Sequence, residues 1–241
     1  MGDDTYVPID LPDDSGPTWT RSFTGAATEA LGSTGVTVSC TGADRGQYTA
    51  TPVTTGYLAD GVLLEAHVLV TSGTATMEVR VCDGANGYVV RVDATTTGVD
   101  LRDVTAGTSI GTATVDCTLG VVIRIALGKA SGAWSANVGK VRAWVRVEGP
   151  YTGGVFNYGP RQDREWTSIG TSSTVQSVAF GTNRIRWGSV ALACTSTWRW
   201  FAFSGGRETA GNILASPAGT GRQPPRQPGR HVARPPHPAR R

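Results

Sequence analysis

Hydrophobic and polar residues alternate along most of the chain. In Val141–Glu148 (VRAWVRVE) the odd positions are Val, Ala, Val and Val, and the even ones are Arg142, Trp144, Arg146 and Glu148. A period of two belongs to a β-strand, whose successive side chains point to opposite faces. One face goes to a core and the other meets solvent or a ligand, as in antiparallel sheets with one wet side. Thr76–Cys82 repeats the arrangement, with Met77, Val79 and Val81 opposed to Glu78 and Arg80. In Val121–Leu127, Val121, Ile123 and Ile125 lie opposite Arg124.

Segments of this kind, separated by Gly, Thr, Ser and Asp clusters, predict about fourteen strands. The first eight are Thr18–Thr24, Val36–Cys40, Gln47–Ala50, Val62–Thr71, Thr76–Cys82, Tyr88–Asp93, Val99–Val104 and Val121–Leu127. The others are Trp134–Val138, Val141–Glu148, Glu165–Ile169, Thr174–Phe180, Ile185–Ala193 and Thr197–Phe203. In the last of these, simple alternation sets Trp198 and Trp200 against Phe201 and Phe203, so a strand apolar on both faces is expected deep in the core. No segment keeps an i, i+3, i+4, i+7 apolar stripe over three turns. A parallel βαβ sheet is thereby excluded, and an all-β antiparallel sandwich or barrel is expected.

Composition sharpens the boundaries. The 241 residues are 39% hydrophobic and 17% charged, with 32 Gly and 4 Cys, which excludes a disordered chain and a disulfide-stapled miniprotein. Residues 1–16 (MGDDTYVPIDLPDDSG) are acidic and read as a leader or connector, ordered only against a partner. Residues 17–204 form the β-sandwich domain. Residues 205–241 hold seven Arg, one acid (Glu208) and seven of the thirteen Pro, and read as a disordered basic tail, too poor in apolar side chains to offset its ordering entropy. A basic arm for an acidic partner, a linker, and a GC-rich stretch never selected for folding remain open for it. The net charge of +3 therefore averages a basic tail with a body of 15 basic and 18 acidic groups, and nucleic acid is not an expected partner. The longest apolar runs fall well short of the ~20 residues of a membrane span. The acidic N-terminus lacks the positive start of a secretory signal.

The chemical inventory is sparse. Cys40, Cys82, Cys117 and Cys194 have no CxxC spacing and no nearby His, so neither a zinc site nor one pairing among the three possible is implied. Cys40, Cys82 and Cys194, in strand-like segments, read as small buried hydrophobes. His67 is expected as a hydrogen-bonded structural histidine, and His231 and His237 lie in the tail. No P-loop, GxGxxG or HExxH pattern is present. Of six Glu none has a second within five residues, whereas glycoside hydrolysis needs two facing carboxyls. Asp163 and Glu165 beside Trp166 are the nearest imitation. Asp60-Gly61, Asp83–Gly87 and Asp93 could offer calcium oxygens, but Asp-Gly and Asn-Gly are first of all turn formers, and Asp83–Gly87 reads as a hairpin turn. No metal or other cofactor is expected. The candidate binding residues are Arg142, Trp144, Arg146 and Glu148, an aromatic platform flanked by charged donors and acceptors that suits a sugar ring or a protein partner.

The series Gly87–Asp93 (GYVVRVD), Gly98–Arg102 (GVDLR), Gly120–Ala126 (GVVIRIA) and Val141–Arg146 (VRAWVR), closed by Arg184–Gly188 (RIRWG) and Trp198–Phe203 (WRWFAF), resembles the strand series of the concanavalin A-like lectin/glucanase (laminin G-like) jelly roll. The Thr- and Gly-rich sequence with 20 Arg and 2 Lys looks most like versions of this module in minor tail or other structural proteins of phages. That resemblance implies a non-enzymatic virion module, assembled in the host cytoplasm, that binds a host-surface glycan or other virion and tail proteins. A polysaccharide hydrolase using Glu165 or Glu148, or a module that only supports homo-oligomerisation, is the alternative. The family's metal cluster and catalytic Glu pair have no counterpart here.

Overall fold

The computed structural model describes residues 5–8, 19–32, 35–50, 61–82, 86–128, 137–148, 166–172, 174–179 and 181–204. The strands are β1 (Thr5–Pro8), β2 (Trp19–Phe23), β3 (Thr28–Gly32), β4 (Gly35–Cys40), β5 (Arg45–Ala50), β6 (Gly61–Gly73), β7 (Ala75–Cys82) and β8 (Asn86–Ala94). They continue with β9 (Gly98–Asp103), β10 (Thr108–Thr114), β11 (Val121–Gly128), β12 (Val141–Val147), β13 (Thr167–Ser172), β14 (Ser177–Ala179), β15 (Arg184–Val190) and β16 (Cys194–Ser204). Helical structure among the described residues is limited to 3-10 conformation, at Cys117–Leu119 and at Asn137; no helix there is long and apolar enough to cross a membrane.

Every pairing is antiparallel. Sheet A runs β13-β12-β11-β6-β16-β4-β3, with β1 also on β16. Sheet B runs β10-β9-β8-β7-β15-β5-β2, with β14 also on β8. The chain crosses between the sheets repeatedly, at β4–β5, β5–β6 and β6–β7 in succession and again at β10–β11, β13–β14 and β15–β16. The last two strands then return to the middle, β15 between β5 and β7 and β16 between β4 and β6. Returns of this kind are Greek-key connections, and two facing sheets built from them make a jelly-roll sandwich.

The inward positions are those set by the alternation. Val62, Leu64, Ala66 and Val68 of β6 join Met77, Val79 and Val81 of β7, Val90 and Val92 of β8, and Ile123 and Ile125 of β11 in one continuous core. At its other end the core is aromatic. Tyr48 stacks on Trp187 at 4.4 Å between ring centroids, and Trp198 stacks on Phe201 at 5.6 Å.

The structure corrects the sequence reading at several points. Trp198 and Phe201 do not lie on opposite faces: a bulge between Trp198 and Trp200 inserts Arg199 and shifts the phase, so Trp198 pairs with Val68, Phe201 with Ala66, and both point inward. Thr28–Gly32 and Thr108–Thr114 are strands that the alternation does not announce, because both are mostly exposed and polar, as sheet-edge strands tend to be. Within residues 1–16, Thr5–Pro8 pairs with Phe203 to Trp200 of β16. The expected strand Trp134–Val138 is not seen in its described part, since Asn137 and Val138 belong to a turn closed by the Lys140 N–H on the Asn137 carbonyl at 2.9 Å; its remainder lies outside the described residues. Finally, the outer faces are not simply wet. Glu78 and Trp144 are buried, because arginine side chains lay their apolar stems across the sheets and bring their charges onto neighbouring carboxylates.

The β6–β7 connection depends on Gly73. Its φ is +68°, and a Cβ there would stand 1.9 Å from the Ala193 carbonyl oxygen, the same oxygen that accepts from the Thr74 N–H at 2.9 Å. Gly73→Ala is expected to cost about 2 kcal/mol or more, since it combines backbone strain with a backbone clash. A urea midpoint unchanged by the substitution would contradict this.

Candidate functional site

The outer face of sheet A gathers the candidate residues with others from neighbouring strands. Register places Glu65 of β6 opposite Arg124 of β11, Arg124 opposite Trp144 of β12, and Trp144 opposite Ser168 of β13. One row to one side, His67, Val122 and Arg146 are aligned, and one row to the other, Leu63, Ala126 and Arg142. All are positions that the alternation turns away from the core.

Arg146 donates from Nε and Nη2 to Glu148 Oε1, at 3.0 and 2.5 Å. Arg124 makes the same kind of forked contact with Glu65 Oε1. Both guanidinium carbons lie 4.6 Å from the ring centroid of half-buried Trp166, which is cation–π distance. Arg142 lies 5.4 Å from the ring centroid of Trp144. Trp144 itself is 1% exposed and packs with Ala126, Leu63 and Trp166. Its indole N–H has no hydrogen-bond partner among the described residues. Trp144 is therefore not an open stacking platform. The half-buried ring on this face is Trp166, and the polar groups around it are two arginine–glutamate pairs.

The structure thus brings Arg142, Trp144, Arg146 and Glu148 together on one face, as the alternation requires. Sequence reasoning missed Glu65, Arg124 and Trp166 as members, since each stands on or beside a different strand. The available signal was complementary charge at the outward positions of β6 and β11.

Of the other residues singled out, His67 is fully buried and partnered. Asp93 faces outward on sheet B. Burial raises its carboxyl pKa above the usual range, against the opposing hydrogen bond from Arg91. Asp60, Asp83, Asp163 and Glu165 lie outside the described residues, and among the described ones no group of three or more His, Cys, Asp or Glu is placed to hold a metal. β7 and β8 pair as an antiparallel hairpin that closes at Cys82 and Gly87.

All four cysteines are buried free thiols. Cys40 and Cys194 sit directly opposite each other across β4 and β16. Burial pushes the Cys40 thiol up, Cys194 up to about 11 and Cys117 up to about 12. Since the thiolate is the reactive species, native protein at pH 8 is expected to react slowly with a disulfide reagent and urea-unfolded protein to titrate all four at once. A thiol that reacts rapidly in the native state would contradict the burial.

What fold and face together define is an antiparallel jelly-roll sandwich whose outer surface carries arginine–carboxylate pairs around a tryptophan. No family model and no curated protein sequence matches the chain. Among solved structures it is similar to the Bacillus licheniformis β-glucanase, with a TM-score of 0.43 and 13% identity over 85% of this chain and 99% of that one. It is also similar to the Emp47p carbohydrate recognition domain, with a TM-score of 0.48 and 9% identity over 85% and 96%. A third is the carbohydrate-binding module CBM66 from Bacillus subtilis, with a TM-score of 0.39 and 12% identity over 83% and 95%. At such scores nothing about ligand or activity follows from them, and the fold rests on the strand order and register above.

Proposed function

We propose that the chain is a non-enzymatic glycan-binding module of a phage virion, placed in a minor tail or other surface protein and directed at a host-surface polysaccharide. The observation that carries the glycan reading is the convergence of Arg124, Arg146, Glu65 and Glu148 around half-buried Trp166. Sugar hydroxyls both donate and accept, and paired guanidinium and carboxylate groups answer both needs beside an apolar ring. Hydrolysis is the weaker reading. The two carboxylates of this face among the described residues, Glu65 and Glu148, both spend oxygens on arginines of their own sheet rather than facing a shared gap. The virion assignment is supported by the resemblance of the sequence to phage structural modules.

The test is retention of the full chain on a panel of purified neutral bacterial envelope polysaccharides. Binding to at least one is expected, and Arg124→Ala with Arg146→Ala should lower it at least tenfold while the melting transition stays cooperative. Retention on none of them, equal retention of the variant, or release of reducing sugar would overturn the reading. Contact with neighbouring virion subunits is a second reading, favoured by Leu31, which is 61% exposed on the sheet-edge strand β3. Co-sedimentation with tail or capsid proteins, lost on Leu31→Asp, would support it, and no association would remove it.

A further inference from the structure

The outer face of sheet B carries a different chemistry. Register lines up Arg186 of β15, Glu78 of β7, Arg91 of β8 and Arg102 of β9 in one row across four strands. Arg184 and Arg80 stand opposite each other in the adjacent row, and Asp93 and Asp100 on the other side. Five guanidinium groups thus share a face with three carboxylates.

Glu78, only 2% exposed, spends Oε1 on Arg184 Nη2 at 2.5 Å and Oε2 on Arg186 Nη2. Arg91 donates from Nη2 to Asp93 Oδ2 at 2.8 Å, and its Nε lies 2.6 Å from Oδ1, an ion contact rather than an aligned hydrogen bond. Arg102 reaches Asp100 at 3.2 Å. Arg80 forms no ion pair among the described residues, and its Nε is buried without a hydrogen-bond partner. Arg91, Arg102, Arg184 and Arg186 keep 20–34% of their side chains open to solvent. Two pairs, Arg184 with Arg80 and Arg91 with Arg102, are like charges directly opposite each other across strands. Like charges so placed oppose strand pairing; Glu78, Asp93 and Asp100 offset part of that repulsion, and the face keeps two more guanidinium groups than carboxylates.

We infer that this face is a second binding surface, distinct from that around Trp166, which takes the carboxylate or phosphate groups of an acidic polysaccharide. Guanidinium forks match both oxyanions in a bidentate manner. Nucleic acid is the poorer fit. The outward positions of β15, β7, β8 and β9 hold no aromatic ring on which a base could stack.

The test is titration of the full chain, at low and at physiological salt, with polygalacturonate, a phosphate-bearing teichoic acid, neutral dextran and single-stranded DNA. Polygalacturonate, teichoic acid or both should bind, with affinity falling as salt rises, and dextran should not bind. Arg80→Ala with Arg102→Ala, neither of which touches Glu78, should weaken binding at least tenfold. Arg124→Ala with Arg146→Ala should leave it unchanged, which separates this surface from the one proposed for neutral glycans. Preference for carboxylate or phosphate identifies the source of the anion. Tighter binding of DNA, failure of both acidic polymers, or binding that survives Arg80→Ala with Arg102→Ala because the tail arginines carry it would overturn the inference.

Discussion

Trp187→Ala is expected to lower the unfolding free energy by about 3–5 kcal/mol, the range for removing a large aromatic from a core. Trp187 is 2% exposed on β15, in the middle of sheet B. Its ring stacks on Tyr48 and lies 5.3 Å from Trp198, 5.2 Å from Phe201 and 6.0 Å from Trp19 between centroids. Trp198 and Phe201 belong to the opposite sheet, so this one side chain ties the two layers together. Its neighbours are rings that pack edge to face and face to face, and they cannot collapse into the space it leaves. Urea unfolding followed by circular dichroism should show the midpoint fall sharply with a cooperative transition. A change under about 1 kcal/mol, the scale of an ordinary surface substitution, would mean that the sheets are not joined there.

The second large effect is on the outer face. Glu78→Ala is expected to cost about 3 kcal/mol, because breaking a buried ion pair from one side leaves its partners' charge uncompensated. Two arginines, not one, lose their carboxylate here, and Arg80 and Arg91 stand close by with charge of the same sign. Partial solvent access of Arg184 and Arg186 keeps the figure at the lower end of what full burial would give. The Arg21–Glu29 pair is the contrast. Arg21 is 56% exposed, and screening limits such a pair to roughly 0–1 kcal/mol. Denaturation of Glu78→Ala beside Arg21→Ala should therefore separate the two by at least about 1 kcal/mol; equal losses would show that Glu78 is no more buried in solution than a surface acid.

The layered body was legible because its inward residues follow a strict two-residue rhythm in the central strands. Val62, Leu64, Ala66 and Val68 of β6 and Met77, Val79 and Val81 of β7 need no knowledge of their neighbours to be assigned to the core. Thr28–Gly32 was not legible, since an edge strand buries little and so carries no rhythm. The inward turn of Phe201 was hidden by the extra residue at Arg199, and a bulge has no compositional signature. The functional face divides in the same way. Arg142, Trp144, Arg146 and Glu148 share one strand and are read from local alternation. Their companions Glu65 and Arg124 come from β6 and β11, and only sheet order and register decide which outward residues meet. The burial of Trp144 follows from that same assembly: a ring on an outward position is open only if its neighbours leave it so, and here Trp166, Leu63 and Ala126 do not.

The reading of the molecule as a glycan-binding module is tested most directly by hydroxyl-radical footprinting of the full chain with and without the neutral polysaccharide it retains best. Protection centred on Trp166, with the side chains of β6 and β11 beside it shielded and the sheet B face unchanged, is the expected result. Unchanged labelling at Trp166, with protection elsewhere or nowhere, would contradict the account.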